Sequence, residues 1–99
     1  MTTDGSANAG EVTTSVRIVN QRGLHARASA KFVQTVNRFN ATVNVRKDGV
    51  TVGGTSIMGL MMLAASPGCS IDISATGQDA AAVVDALVAL IVDRFGEEI

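Results

Sequence analysis

The amino-acid sequence predicts an α+β domain, an antiparallel sheet of four strands with helices layered on one side. Three observations carry this. Four short segments alternate apolar and polar residues with period two. Apolar-striped segments at helical spacing lie between and after them, and Asp48-Gly49 joins two of the alternating runs as a tight hairpin would.

The elements follow in order. Val12 to Asn20 alternates, with Val12, Thr14, Val16 and Ile18 on one face and Thr13, Ser15 and Arg17 on the other, the pattern of a half-buried strand. Gly23 breaks it, and Ala26 to Phe39 runs at helical spacing with a stripe of Ala30, Val33 and Val36 or Asn37, flanked by Phe32 and Phe39. Ala41 to Arg46 alternates again, turns at Asp48-Gly49 and resumes as Val50-Thr51-Val52. Gly53-Gly54 ends this hairpin, and Thr55 or Ser56 caps a helix from Ile57 to Ala65, which Pro67-Gly68 closes. Ser70 to Ala75 is the fourth strand. Thr76, Gln78 and Asp79 then supply the cap and first-turn acid of a last helix reaching about Phe95, with Gly96 as its stop. Val83 or Val84, Leu87, Val88, Leu90 and Ile91 form its buried stripe.

Ninety-nine residues with 46% hydrophobic content make one modest core, built without Trp or Tyr and with only three Phe. The net charge is −1 and no Lys/Arg cluster appears, which argues against nucleic acid as a partner. Cys69 is the single cysteine, so an internal disulfide and a cysteine metal cage are both excluded. No metal and no cofactor are expected. Residues 1–11 lack a basic start and an apolar stretch, and read as a flexible tail ahead of a domain over 12–99. No segment is long and apolar enough to cross a bilayer. A cytoplasmic monomer is the expectation.

The chemistry concentrates around His25, the only histidine, at the entrance of the first helix. An imidazole there can act as a nucleophile near neutral pH, while first-turn N–H groups offer partial positive charge to an anion. Gly23 permits close backbone approach, and Arg27 adds a permanent cation suited to phosphate oxygens. The plain alternatives are a helix-capping histidine and a solvated arginine. Ser56 opens the second helix, where it needs no role beyond a cap, yet a phosphate there would meet the helix dipole. In Ile57-Met58-Gly59-Leu60-Met61-Met62-Leu63, Leu60, Leu63 and Ala64 fit a core stripe. Ile57, Met58 and Met61 are then left for an exposed docking patch. The alternative is a helix buried on most sides.

Two motifs now carry a family resemblance. Gly23-Leu24-His25-Ala26-Arg27-Ala28 resembles the active-site signature of the HPr family, histidine-containing phosphocarriers of the bacterial phosphotransferase system, and Ser56-Ile57-Met58-Gly59-Leu60-Met61 resembles that family's second signature. The resemblance spans about residues 12–95 and implies an open-faced β-sandwich, β-α-β-β-α-β-α, with three helices on one face of the sheet. It further implies that His25 accepts a phosphoryl group at Nδ1 from the phosphohistidine of enzyme I and hands it to a IIA-type protein or domain, without turnover of its own. In that frame Arg27 balances phosphate charge and Ser56 is the serine acted on by HPr kinase/phosphorylase. Leu24, Ile57, Met58 and Met61 belong to the partner-binding surface. Ala28 departs from the signature, which usually has Pro there. Pro would preset the first turn, whereas Ala is a good helix former but less rigid, so retained activity with a softer loop is expected. Asn20-Gln21-Arg22-Gly23 and the polar N-terminal stretch look closer to the nitrogen-type branch than to the sugar-transport branch. The competing classes are a regulatory binding module governed by Ser56 and an unrelated α+β domain with a capping histidine.

Overall fold

A computed structural model describes residues 11–98. Of the tail expected over 1–11, only Glu11 falls among them, exposed and outside any element. The strands are β1 (Val12–Arg17), β2 (Thr42–Lys47), β3 (Val50–Gly53) and β4 (Ser70–Thr76), and the helices are α1 (Ala26–Val36), α2 (Ile57–Met62) and α3 (Ala80–Val92), followed by a 3-10 turn at Arg94–Gly96. The order is β-α-β-β-α-β-α, as expected.

The strands form one sheet in the order β1-β4-β2-β3, and every pairing is antiparallel. Register follows the apolar pattern. Val16 stands opposite Ile71, Val45 opposite both Ile73 and Val52, and Val43 opposite Ala75, so one face is largely aliphatic, with Thr14 opposite Ile73 the polar member. The other carries Thr13, Ser15, Asn44, Arg46 and Asp72, all exposed. A one-residue slip would exchange the two faces, which fixes the register. Asp48 and Gly49 both have positive φ, 52° and 81°, the geometry of a type I′ hairpin turn.

All three helices cover the aliphatic face. Phe32, Leu60, Val83, Leu87, Ile91 and Phe95 are fully buried there with Ile71 and Ile73. The core stripe of α1 differs from the expected Ala30–Val33 line: Ala28, Ser29, Phe32, Thr35 and Val36 face inward, while Ala30 and Val33 are only half-buried. The Phe32 ring is the largest apolar group of the helix and takes the centre. Ser29 is tolerated inside because its Oγ donates to the Leu24 carbonyl at 3.2 Å.

The helix ends also fall short of the expected limits. α1 stops at Val36, with Asn37 as its C-cap, rather than at Phe39. α2 stops before Ala65, with Ala64 left-handed (φ 53°) and exposed rather than in the core, where Ala65 sits instead. α3 stops at Val92, and its expected cap at Asp79 makes no side-chain bond to its own helix. The Asp79 carboxylate accepts instead from the Asn40 N–H at 2.8 Å, tying the start of α3 to the turn before β2. Among the described residues no helix is long and apolar enough to cross a membrane.

Candidate functional site

His25 is the N-cap of α1, with extended backbone (φ −73°, ψ −177°). Its position rests on Gly23 before it. Gly23 has φ +65°, and a Cβ there would lie 2.3 Å from the Ala65 carbonyl oxygen. The bare backbone lets the Leu24 N–H reach that same oxygen at 3.0 Å. The histidine loop is thereby laced to the segment just after α2.

The imidazole is held at both nitrogens. Nδ1 accepts from the Arg27 backbone N–H at 3.3 Å, and Nε2 lies 2.5 Å from Glu97 Oε2. An acceptor role at Nδ1 assigns the ring proton to Nε2, which donates to the carboxylate. The ring's lone pair therefore belongs to Nδ1, where it accepts the long bond from the first turn of α1, and only 17% of the side chain is exposed. Glu97 is fixed in turn by Asn20, whose Nδ2 donates to Glu97 Oε1 at 3.1 Å and to the Gly23 carbonyl at 2.9 Å. Burial pushes the Glu97 carboxyl upward, but hydrogen bonds from His25 and Asn20, with the charges of His25 and Arg22, outweigh this and hold it below the usual carboxylate range. It is an anion at neutral pH.

Arg27 is exposed, and among the described residues its guanidinium makes no hydrogen bond or ion pair, which leaves it available to an incoming anion. Ala28 lies inside the first turn of α1, fully buried, so the helix forms there without Pro. Beside the ring opens a depression of about 260 Å³, lined by Arg22, Leu24, His25, Met61 and the Ala64–Ser66 segment. It brings the α2 surface to the histidine.

On α2, Ser56 is exposed and caps the helix, its Oγ accepting from the Gly59 N–H at 2.9 Å. Ile57, Met58 and Met61 are exposed, and Met62, which the sequence pattern did not single out, is exposed by 77%. Leu24 is mostly buried, with an edge at the depression. His25, Arg22, Leu24 and Met61 thus share one surface, with Arg27 on the first turn of α1. Sequence reasoning missed Glu97 and the locking role of Asn20. Glu97 follows the last periodic segment and is 72 residues from its partner, so no spacing signal could have found it.

These features match known proteins. The family model described as PTS HPr component phosphorylation site matches residues 12–93. Phosphocarrier protein HPr of Neisseria meningitidis serogroup A is 51% identical over 83 residues, covering 84% of this chain and 93% of that protein. Among solved structures, HPr-C-His from Thermoanaerobacter tengcongensis superposes with a TM-score of 0.85 at 43% identity, covering 89% of this chain and 99% of its own. A structure described as an HPr dimer from the same organism gives 0.70 at 45% identity, covering 83% and 94%. The chain belongs to the HPr family, the phosphocarrier proteins of the phosphotransferase system.

Proposed function

We propose that His25 accepts a phosphoryl group at Nδ1 from the phosphohistidine of enzyme I and passes it to a IIA-type protein or domain, acting as a carrier in the cytoplasm. The observation that carries this reading is the orientation of the ring. Its lone pair stands at Nδ1 beside first-turn N–H groups, while Nε2 is occupied by Glu97. In each transfer a bond forms between phosphorus and the incoming nitrogen as the bond to the outgoing nitrogen breaks. Arg27 and the helix N-terminus balance phosphate charge without enclosing it, so the group stays transferable. Ile57, Met58 and Met61, with Leu24 at the edge of the depression, form the surface on which either partner brings its own histidine into line.

The test is incubation with enzyme I and phosphoenolpyruvate, followed by intact-mass measurement. The expected result is one acid-labile, base-stable phosphoryl group on the wild-type protein and none on His25→Ala. Folded wild-type protein that gains nothing sinks the carrier reading.

Ser56 is the proposed target of HPr kinase/phosphorylase. Its support is exposure beside the docking patch, at a helix start that tolerates a phosphate. Incubation with such a kinase and ATP is expected to give an acid-stable phosphate that Ser56→Ala abolishes, and labelling at another residue refutes the assignment. The same substitution removes the Gly59 cap bond and is expected to cost about 1 kcal/mol in urea unfolding. A purely regulatory module would keep the Ser56 response while being indifferent to His25→Ala in partner binding and output.

A further inference from the structure

We propose that Glu97 is a positioning residue for His25: delivered by a left-handed turn after α3, its carboxylate keeps the ring proton on Nε2, so that Nδ1 gains and loses a phosphoryl group without any proton moving. The inference rests on the phosphoryl-acceptor reading of His25 and concerns how that ring is made to work in both directions.

The turn is built against backbone preference. Arg94, Phe95 and Gly96 follow one another with φ of 58°, 56° and 78°, a region that L-residues with side chains avoid. Gly96 adopts it freely; Arg94 and Phe95 do not. Such a run persists only where its surroundings determine it. Here the Phe95 ring is fully buried in the core, and its carbonyl accepts from Lys31 Nζ of α1 at 2.6 Å. The chain then extends at Glu97 (φ −80°, ψ 150°) and sets its carboxylate between His25 Nε2 and Asn20 Nδ2.

Asn20 supplies a second, independent sign. Its side chain is fully buried, and Oδ1 finds no hydrogen-bond partner among the described residues while Nδ2 serves both Gly23 and Glu97. Two acceptors on one side fix the amide and forbid the flip that would satisfy Oδ1. A buried unpaired oxygen is costly, and what it secures is the alignment of the Glu97 carboxylate with the histidine loop.

The chemistry needs that alignment. In the acceptor step the Nδ1 lone pair forms the new N–P bond, and the breaking bond returns its electron pair to the donor nitrogen. The ring becomes an N-phosphoimidazolium that still carries its proton on Nε2. In the onward step the N–P electron pair returns to Nδ1, and the leaving group is neutral imidazole. Should the phosphorylated ring lose its Nε2 proton, the leaving group would instead be imidazolide, which departs far more slowly. Arg22 beside the depression and Arg27 at the first turn both oppose positive charge on the ring. α2 contributes Met61, and the segment after it contributes Ala64, Ala65 and Ser66, none of them charged. Glu97 balances that charge.

The test is Glu97→Gln, which keeps the size of the side chain and removes its charge. Three readouts are taken: ring 15N shifts of His25, rates of phosphoryl gain and onward transfer, and the dependence of those rates on pH. The expected result is a larger share of the Nδ1–H tautomer and onward transfer slowed about tenfold, with the deficit growing as pH rises above neutrality. Unchanged 15N shifts with unchanged rates overturn the inference, as does a deficit of the same size at every pH, which a merely structural role would give. Both outcomes leave the carrier reading standing as long as the wild-type protein is labelled at His25. Absence of that label strikes the carrier reading itself.

Discussion

Gly23→Ala is expected to destabilise the fold by about 3 kcal/mol and to lower phosphoryl acceptance at His25 in the same variant. Two effects add. Alanine at a φ of +65° meets the left-handed penalty of about 1–2 kcal/mol, and its Cβ would stand 2.3 Å from the Ala65 carbonyl oxygen, a backbone atom with little freedom to withdraw. Relief requires the loop to lift, which breaks the Leu24 N–H bond to that carbonyl and drags the N-cap histidine from its position. Gly49→Ala is the control, since Gly49 has φ +81° but a Cβ there would meet nothing within 4 Å. It should cost only the conformational penalty and leave phosphoryl acceptance intact. Urea unfolding paired with enzyme I labelling measures both; equal losses for the two variants would show that close approach at Gly23 is irrelevant.

Phe32→Ala is expected to cost about 3–5 kcal/mol, the range for removing a fully buried phenyl ring and leaving part of its volume empty. Total stability for a domain of this size is about 5–15 kcal/mol, so the variant should be partly unfolded at modest urea concentration. Phe32 lies one turn after Ala28 and Ser29 on the buried face of α1, and those two bury the turn that His25 caps. Loss of the ring therefore loosens the histidine as well. A midpoint shift below that of Val33→Ala, a half-buried neighbour on the same helix, would contradict the central placement of Phe32.

The strands and the hairpin were legible because period-two patterning and an Asp-Gly turn are local signals. The face of α1 was misjudged because Ala30 and Val33 look like core in a helical count, whereas packing is decided by the largest ring and by whether Ser29 finds an acceptor. The helix ends were overrun for a different reason. Ala64, Arg94 and Phe95 terminate helical geometry with positive φ, and residues of these types give no warning of it, since glycine and asparagine normally mark such stops. At the candidate site, motif spacing singled out His25, Arg27 and Ser56, but gave no sign of the Glu97–Asn20 support. Asn20 had looked like a mark of one branch of the system; its full burial and two hydrogen bonds give it a structural reason to be there.

Strand order has a kinetic consequence. The β2–β3 hairpin can close across its two-residue turn within microseconds, but among the described residues β1 pairs only with β4, with Val12 against Ala75 and Arg17 against Ser70. Closing that seam means ordering most of the chain before the reward arrives, which makes such a mixed α/β domain slower to fold than a helical bundle. His25 leaves the sheet just after β1, and Glu97 arrives only after α3 has followed β4. The pairing of His25 with Glu97 is therefore a late product of folding, completed when the first and last parts of the chain have met.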